Sequence, residues 1–285
     1  MTASNGASMR FRDKAIQFAN GSSGVNIAIP SASPVNYHQV IFAPDDMQTV
    51  MLDGKLFVPP AGKRAGNGKL PLVIIVPGSL GIAPSHLAHA ETITNHGIAA
   101  FALDSFGGRD VTSTVANQTQ FSFAASAYDV LAAWAVLAAL AEIDGTRIGA
   151  QGHSRGGSAV LTAATRRFAD AVVGKGRGLI GILAAYPWCG HQFLDPRVGT
   201  TEVRVLMGDA DEWCSRCRCR DTSRRYAWPA PAQACVSSGA PSTASIVTPP
   251  SWMCPTRRSR RRRPRPISPT TALSFTRWRR RRTPR

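Results

Sequence analysis

The residues whose types and spacing could do chemistry are Gly152-His153-Ser154-Arg155-Gly156-Gly157. Before them, Arg147 to Gln151 form a short strand-like run, and after them Ser158 to Asp170 carry Ala, Val, Leu and Thr at helical spacing. A strand that turns abruptly into a helix forces its corner residue into a strained backbone conformation, and the turn closes only when the flanking residues are small. Gly152 and Gly156 supply that room. Such a corner lifts the Ser154 hydroxyl clear of the backbone and sets it at the positive end of the following helix, where a developing oxyanion is stabilised. The chemistry it suits is nucleophilic attack on an ester-like carbonyl through an acyl-enzyme. A Gly-rich turn with an ordinary N-cap serine would share these residues, but the strand before and the helix after are the context a nucleophile elbow requires.

A serine nucleophile also needs a hole for the oxyanion, an orienting acid and a base. Pro77-Gly78-Ser79-Leu80-Gly81 directly follows the apolar run Leu70 to Val76. In hydrolases with such an elbow this loop supplies one of two backbone N–H donors, so the candidates are the N–H groups of Ser79 and Arg155. Gly208-Asp209-Ala210-Asp211-Glu212-Trp213 follows the apolar run Val203 to Met207. An acidic residue just past a strand that follows the elbow is where the orienting member falls in chain order, and Asp209 and Asp211 both fit by position. The base is the missing piece. A histidine should follow the acid, yet His38, His86, His89, His96, His153 and His191 all precede Asp211. The His153 side chain is expected to point away from the Ser154 hydroxyl, and His191, in a loop after a strand, is the one that could approach the site.

The elements that must position these groups follow from periodicity. Residues 1–38, rich in Ser, Ala, Asn and Gly, read as a loose lead-in. Gln48 to Leu52 and Lys55 to Val58 read as two strands turned by Asp53-Gly54. Leu70 to Val76 is a strand covered on both faces. Ser85 to His96 reads as a helix, Ile98 to Leu103 as a strand and Phe121 to Ala141 as a long Ala-rich helix; beyond the elbow helix, Gly178 to Ala185 and Val203 to Met207 read as strands. Strands alternating with helices predict an α/β domain over residues 39–213, with a mostly parallel sheet, right-handed crossovers and helices on both faces.

With these motifs in order, the chain resembles the dienelactone hydrolase-like branch of the α/β-hydrolases. The resemblance covers Gln48 to Trp213 and rests on the loop Pro77 to Gly81, the elbow Gly152 to Gly157, and Gly208-x-x-Asp211 followed by Trp213. Asp104-Ser105-Phe106 with Arg109 also looks like that family's loop after the next strand. The resemblance implies the α/β-hydrolase fold, Asp211 rather than Asp209 as the orienting acid, a small ester or lactone as substrate, and no cofactor or metal. Two positions depart from it. Dienelactone hydrolases proper use a cysteine nucleophile and an acidic residue in the loop after the early strand, where this chain has Ser154 and Gly78, which implies a serine esterase-like relative.

Composition divides the chain in two. Of the 34 Lys+Arg, 16 lie in residues 1–213 against 16 Asp+Glu, while the remaining 18, all Arg, lie in residues 214–285 against Asp221 alone, so the net charge of +17 belongs to the tail. Five of the six cysteines are there as well: Cys214, Cys217, Cys219, Cys235 and Cys254. Residues 214–285 have no helical or alternating period and are expected to be disordered. No Cys or His pair sits at zinc-site spacing, and the Arg runs predict nonspecific polyanion binding rather than specific recognition of nucleic acid. Their composition is what GC-rich DNA yields in a wrong frame. Joining the third base of each codon to the first two of the next from Ser242 permits His-Gly-Phe-Asp, which looks like the family's catalytic-histidine motif at about the expected distance. The frame is therefore expected to slip shortly after Trp213, and a chain without that histidine would be a catalytically incompetent remnant. The polar start Met1 to Asn20 lacks a signal-like apolar region, Leu131 to Ala141 is too short to span a bilayer, and Cys189 alone implies no disulfide framework. A cytoplasmic location without membrane contact is the expectation; oligomeric state is not indicated.

Overall fold

The computed structural model describes residues 9–64, 68–190, 193–208, 211 and, as backbone, 233–236. Its strands are β1 (Gly24–Ala32), β2 (Thr49–Phe57), β3 (Leu70–Val76), β4 (Ala99–Asp104), β5 (Ile143–His153), β6 (Gly181–Ala185), β7 (Glu202–Gly208) and β8 (Gln233–Val236). The helices are α1 (Tyr37–Phe42), α2 (Pro84–Asn95), α3 (Phe123–Ala138), α4 (Arg155–Ala164) and α5 (Arg166–Val173). The strands form one sheet in the order β1-β2-β4-β3-β5-β6-β7-β8. β1 and β2 are antiparallel to their neighbours, and every pairing from β4 to β8 is parallel. This is the mostly parallel α/β sheet that the alternation of apolar runs predicts.

Because successive side chains on a strand point to opposite faces, the central strands feed two cores. Ile74, Phe101 and Leu103 pack in the larger one with residues of α3, α4 and α5, including Leu131, Val160 and Phe168. Their chain neighbours Ile75, Ala100 and Ala102 pack in the other with Ala90 and Leu87 of α2. Both faces of the sheet are thus covered, and the elbow sits where β5 leaves its centre.

Five expectations need correction. The Asp53-Gly54 pair does not turn a hairpin: it lies inside β2, opposite Asp104 and Leu103 of β4. Gly54 is there because a Cβ at this position would stand 2.1 Å from Cζ of Phe101, whose ring crosses over it. The lead-in is not loose over its second half, since residues 24–32 form β1 and Phe18 stacks on Phe57 at 4.3 Å between centroids. The helix after the elbow is two helices, α4 and α5, divided at Thr165, whose backbone is extended. Finally, residues 233–236 of the Arg-rich segment pair with β7 as β8. Cys189, for which no disulfide was expected, is disulfide-bonded.

The chain divides into a unit of residues 1–248 and a second of residues 249–285. The second lies wholly outside the described residues, as do the other tail positions apart from 233–236. No helix among the described residues is long and apolar enough to cross a membrane.

Candidate active site

Ser154 stands between β5 and α4 with φ 52° and ψ −113°, a backbone conformation that side chains rarely adopt. The neighbouring glycines show why it is tolerated. A Cβ on Gly152 would lie 2.1 Å from the Gly156 carbonyl oxygen, and one on Gly156 would lie 2.3 Å from the carbonyl oxygen of Val76. The first turn of α4 therefore presses directly on β5 and β3, an approach that only glycine permits. The strained peptide is pinned from the far side by Ser154 N–H, which donates to the Ala185 carbonyl at 2.9 Å. Ser154 is half-buried, and its hydroxyl has no hydrogen-bond partner among the described residues. Strain held in this way leaves an available hydroxyl at the N-terminus of a helix.

The loop after β3 closes on this corner. A Cβ on Gly78 would stand 3.5 Å from Ser154 Cβ and 3.1 Å from the His153 carbonyl oxygen, so the loop and the elbow are in van der Waals contact. The Gly78 carbonyl accepts from Gly81 N–H at 3.0 Å. Since the peptide between Gly78 and Ser79 is trans and planar, this bond on its carbonyl side fixes the direction of the Ser79 N–H on its other side. Neither the Ser79 N–H nor the Arg155 N–H is used in a hydrogen bond among the described residues; Arg155 opens α4, where the first amides have no helical acceptor. Ser79, Ser154 and Arg155 line one cavity of about 340 Å³, together with Gln118, Phe123 and Trp188. The expected nucleophile and both expected oxyanion donors are thus brought together.

The Arg155 side chain turns down beneath the cavity and is only 2% exposed. Its Nε donates to Ser126 Oγ at 3.1 Å, Nη1 to Gln118 Oε1 at 3.1 Å and to the Gln118 carbonyl at 3.2 Å, and Nη2 to the Phe121 carbonyl at 2.5 Å. The guanidinium also lies over the rings of Phe121 and Phe123. Burial pushes its pKa down to about 10, which leaves it charged at neutral pH. Nothing in the sequence pointed to this second role of Arg155, whose side-chain partners are distant in the chain, or to Gln118, which belongs to no motif.

Asp211 lies three residues beyond β7 and its N–H donates to the Gly208 carbonyl at 3.4 Å. As β5, β6 and β7 are parallel neighbours, Asp211 follows the same carboxyl edge of the sheet that Ser154 leaves. It does not line the Ser154 cavity. Asp209 and His191 lie outside the described residues.

His153 points away from that cavity, as expected. Its ring packs against His86 and His89 of α2, with centroids 4.9 and 5.1 Å apart, and against Tyr186. His86 Nδ1 accepts from Ala83 N–H, while His86 Nε2 and His153 Nδ1 are buried without a partner. Burial first, then the neighbouring imidazoles, depress His153 to about 4; burial likewise lowers His86. These are neutral core histidines, and no group of His, Cys, Asp or Glu among the described residues is arranged to hold a metal ion.

The loop after β4 also proves structural. Arg109 forms a bidentate pair with Asp129 at 2.8 and 2.9 Å, with Asp129 fully buried, and donates as well to the carbonyls of Ser105 and Ala32 and to Ser33 Oγ. Asp104 accepts from Phe106 N–H and Gly107 N–H, and burial raises its pKa.

No family model matches the sequence, and no curated protein matches it either. Solved structures do. The dienelactone hydrolase of Anabaena variabilis ATCC 29413 superposes with a TM-score of 0.50 over 80% of this chain and 90% of its own, at 17% identity. A structure named m3DLH does so with a TM-score of 0.50 over 76% of this chain and 82% of its own, at 18% identity. At these identities what is shared is the architecture: the chain has the α/β-hydrolase fold, in the form that solved dienelactone hydrolases adopt.

Proposed function

We propose that the chain is a serine hydrolase of the dienelactone hydrolase-like kind, cleaving small carboxylic esters or lactones through an acyl-enzyme. The observation that carries this reading is the single cavity holding a strained, unpartnered Ser154 hydroxyl beside two free backbone N–H groups. Ser154 Oγ attacks the carbonyl carbon as its proton passes to a base. The carbonyl electron pair moves onto oxygen, where Ser79 N–H and Arg155 N–H receive it. Collapse expels the alkoxide, which takes up the proton, and water then releases the acid by the same route. A volume of about 340 Å³ is at the small end for ligand sites and supports a compact acyl group, for which Phe123 and Trp188 offer an apolar wall.

Asp211 is proposed to orient the base. None of the five described histidines makes a hydrogen bond to Ser154, which favours a base outside the described residues: His191, or the His-Gly-Phe-Asp string of the alternative frame. The same observation favours a second reading, in which the chain as written is an incompetent remnant whose Arg-rich segment binds polyanions nonspecifically. Two experiments separate them. Sequencing the coding DNA from Val203 to Ser251 either finds a lost or gained base or does not. An assay with p-nitrophenyl acetate expects saturable hydrolysis abolished by Ser154→Ala; a rate unchanged by that substitution would sink the hydrolase reading. The Cys189 disulfide favours an oxidising compartment over the cytoplasm. Alkylation of Cys189 in intact cells decides between them.

A further inference from the structure

The two oxyanion donors come from different elements, Ser79 from the loop after β3 and Arg155 from the start of α4, which meet through the backbone at Gly78 and Gly156. One side chain spans them. Gln118, in the connection between β4 and α3, directs its amide Nε2–H to Ser79 Oγ at 3.0 Å and accepts from Arg155 Nη1 on Oε1 at 3.1 Å. Its main-chain carbonyl accepts from the same Nη1 at 3.2 Å. The amide orientation is determined rather than arbitrary, because only Oε1 can accept from a guanidinium. The same connection holds the loop at two further points: Thr114 N–H donates to the Ser79 carbonyl at 2.8 Å and Ser113 Oγ donates to it at 3.1 Å. Gln118, Ser79 and Arg155 all line the cavity.

We infer that Gln118 is a positioning residue that clips the two halves of the oxyanion hole together. This rests on the hydrolase reading for its catalytic consequence, but not for its structural one. An oxyanion donor acts only when held about 3 Å from the place where negative charge develops, so a loop released by a few tenths of an ångström loses transition-state binding while ground-state binding is little changed. The buried Arg155 guanidinium gives the clip a rigid anchor: four hydrogen bonds and two aromatic faces leave it one arrangement.

The test uses the full chain with Gln118→Ala, Ser79→Ala and the double variant. Ser79→Ala keeps the backbone N–H and removes only the hydroxyl that Gln118 grips. With p-nitrophenyl acetate, each single variant is expected to lower kcat by about tenfold with KM within about twofold, well short of the loss from deleting a donor outright. The double variant is expected to match the worse single, because both cut one link. Effects that multiply, or that fall on KM alone, would overturn the inference. Hydrogen exchange keeps the question independent of activity. Amides of residues 79–82 should exchange faster in Gln118→Ala with the rest of the sheet unchanged, and equal exchange in that loop would refute the clip. If the parent chain hydrolyses ester no faster than Ser154→Ala, the hydrolase reading has failed, and the exchange result still judges Gln118.

Discussion

The imidazole next to Ser154 makes stability depend on pH in a direction that can be worked out. His153 is 9% exposed and meets His86 and His89 from α2, Gln151 from its own strand and Tyr186 from the end of β6. No carboxylate is among these contacts, so a proton on His153 gains no ion pair and loses its hydration. The folded pKa is held at about 4, against an ordinary value of 6.5. Since the unfolded chain binds the proton more readily, the contribution of His153 is complete above pH 6.5 and drains as pH falls toward 4. The gap is worth about 3 kcal/mol at its limit, and about 2 kcal/mol of it is lost between pH 7 and pH 5. His86, also depressed, acts in the same sense. Carboxylates titrate over part of this range too, so the diagnostic quantity is a difference between two proteins. His153→Phe keeps a ring of similar size and removes the proton site. Urea unfolding at pH 7 and pH 5 should show the parent losing about 2 kcal/mol more than the variant. Equal losses would refute the reasoning, because they would mean that His153 is not held neutral by burial.

Other consequences follow from the packing around the site. Gly152→Ala drives a methyl to 2.1 Å from the Gly156 carbonyl and should cost about 3 kcal/mol or more, whereas Gly78→Ala meets nothing nearer than 3.1 Å and should stay within about 1 kcal/mol; denaturant midpoints compare them. Asp129→Asn leaves the Arg109 guanidinium buried without its carboxylate, and a loss of about 3 kcal/mol or more is expected by thermal unfolding. Arg155→Lys cannot reach Ser126, Gln118 and Phe121 at once, so it should lower both Tm and kcat rather than behave as a conservative change.

Most of what positions the site was legible in the sequence where local rules decide. The elbow was readable because Gly152 and Gly156 are demanded by backbone approach, and β3 because a strand buried on both faces must be apolar throughout. The reading failed where a distant residue decides. Asp53-Gly54 has the composition of a hairpin turn, but the glycine serves the Phe101 ring, a contact across the sheet that no local window contains. Likewise β1 pairs along β2 as an outer strand with a face of small and polar residues, so its composition resembled a loop. Gln118 could not be found from sequence, since a glutamine in a polar stretch gains its role only when folding brings Ser79 and Arg155 to either side of it. The histidines that precede the elbow offer no base either: His86 and His153 are buried and pack with His89 behind it.

The most direct test of the central claim is covalent. A fluorophosphonate probe requires a serine made nucleophilic and an oxyanion hole that stabilises the attack. Incubated with the chain encoded by the sequenced coding DNA and digested for mass spectrometry, it should modify the peptide carrying Ser154 and be abolished by Ser154→Ala, with labelling slowed by Gln118→Ala. Modification elsewhere, or labelling that survives the loss of Ser154, would contradict the assignment of this corner as the catalytic nucleophile.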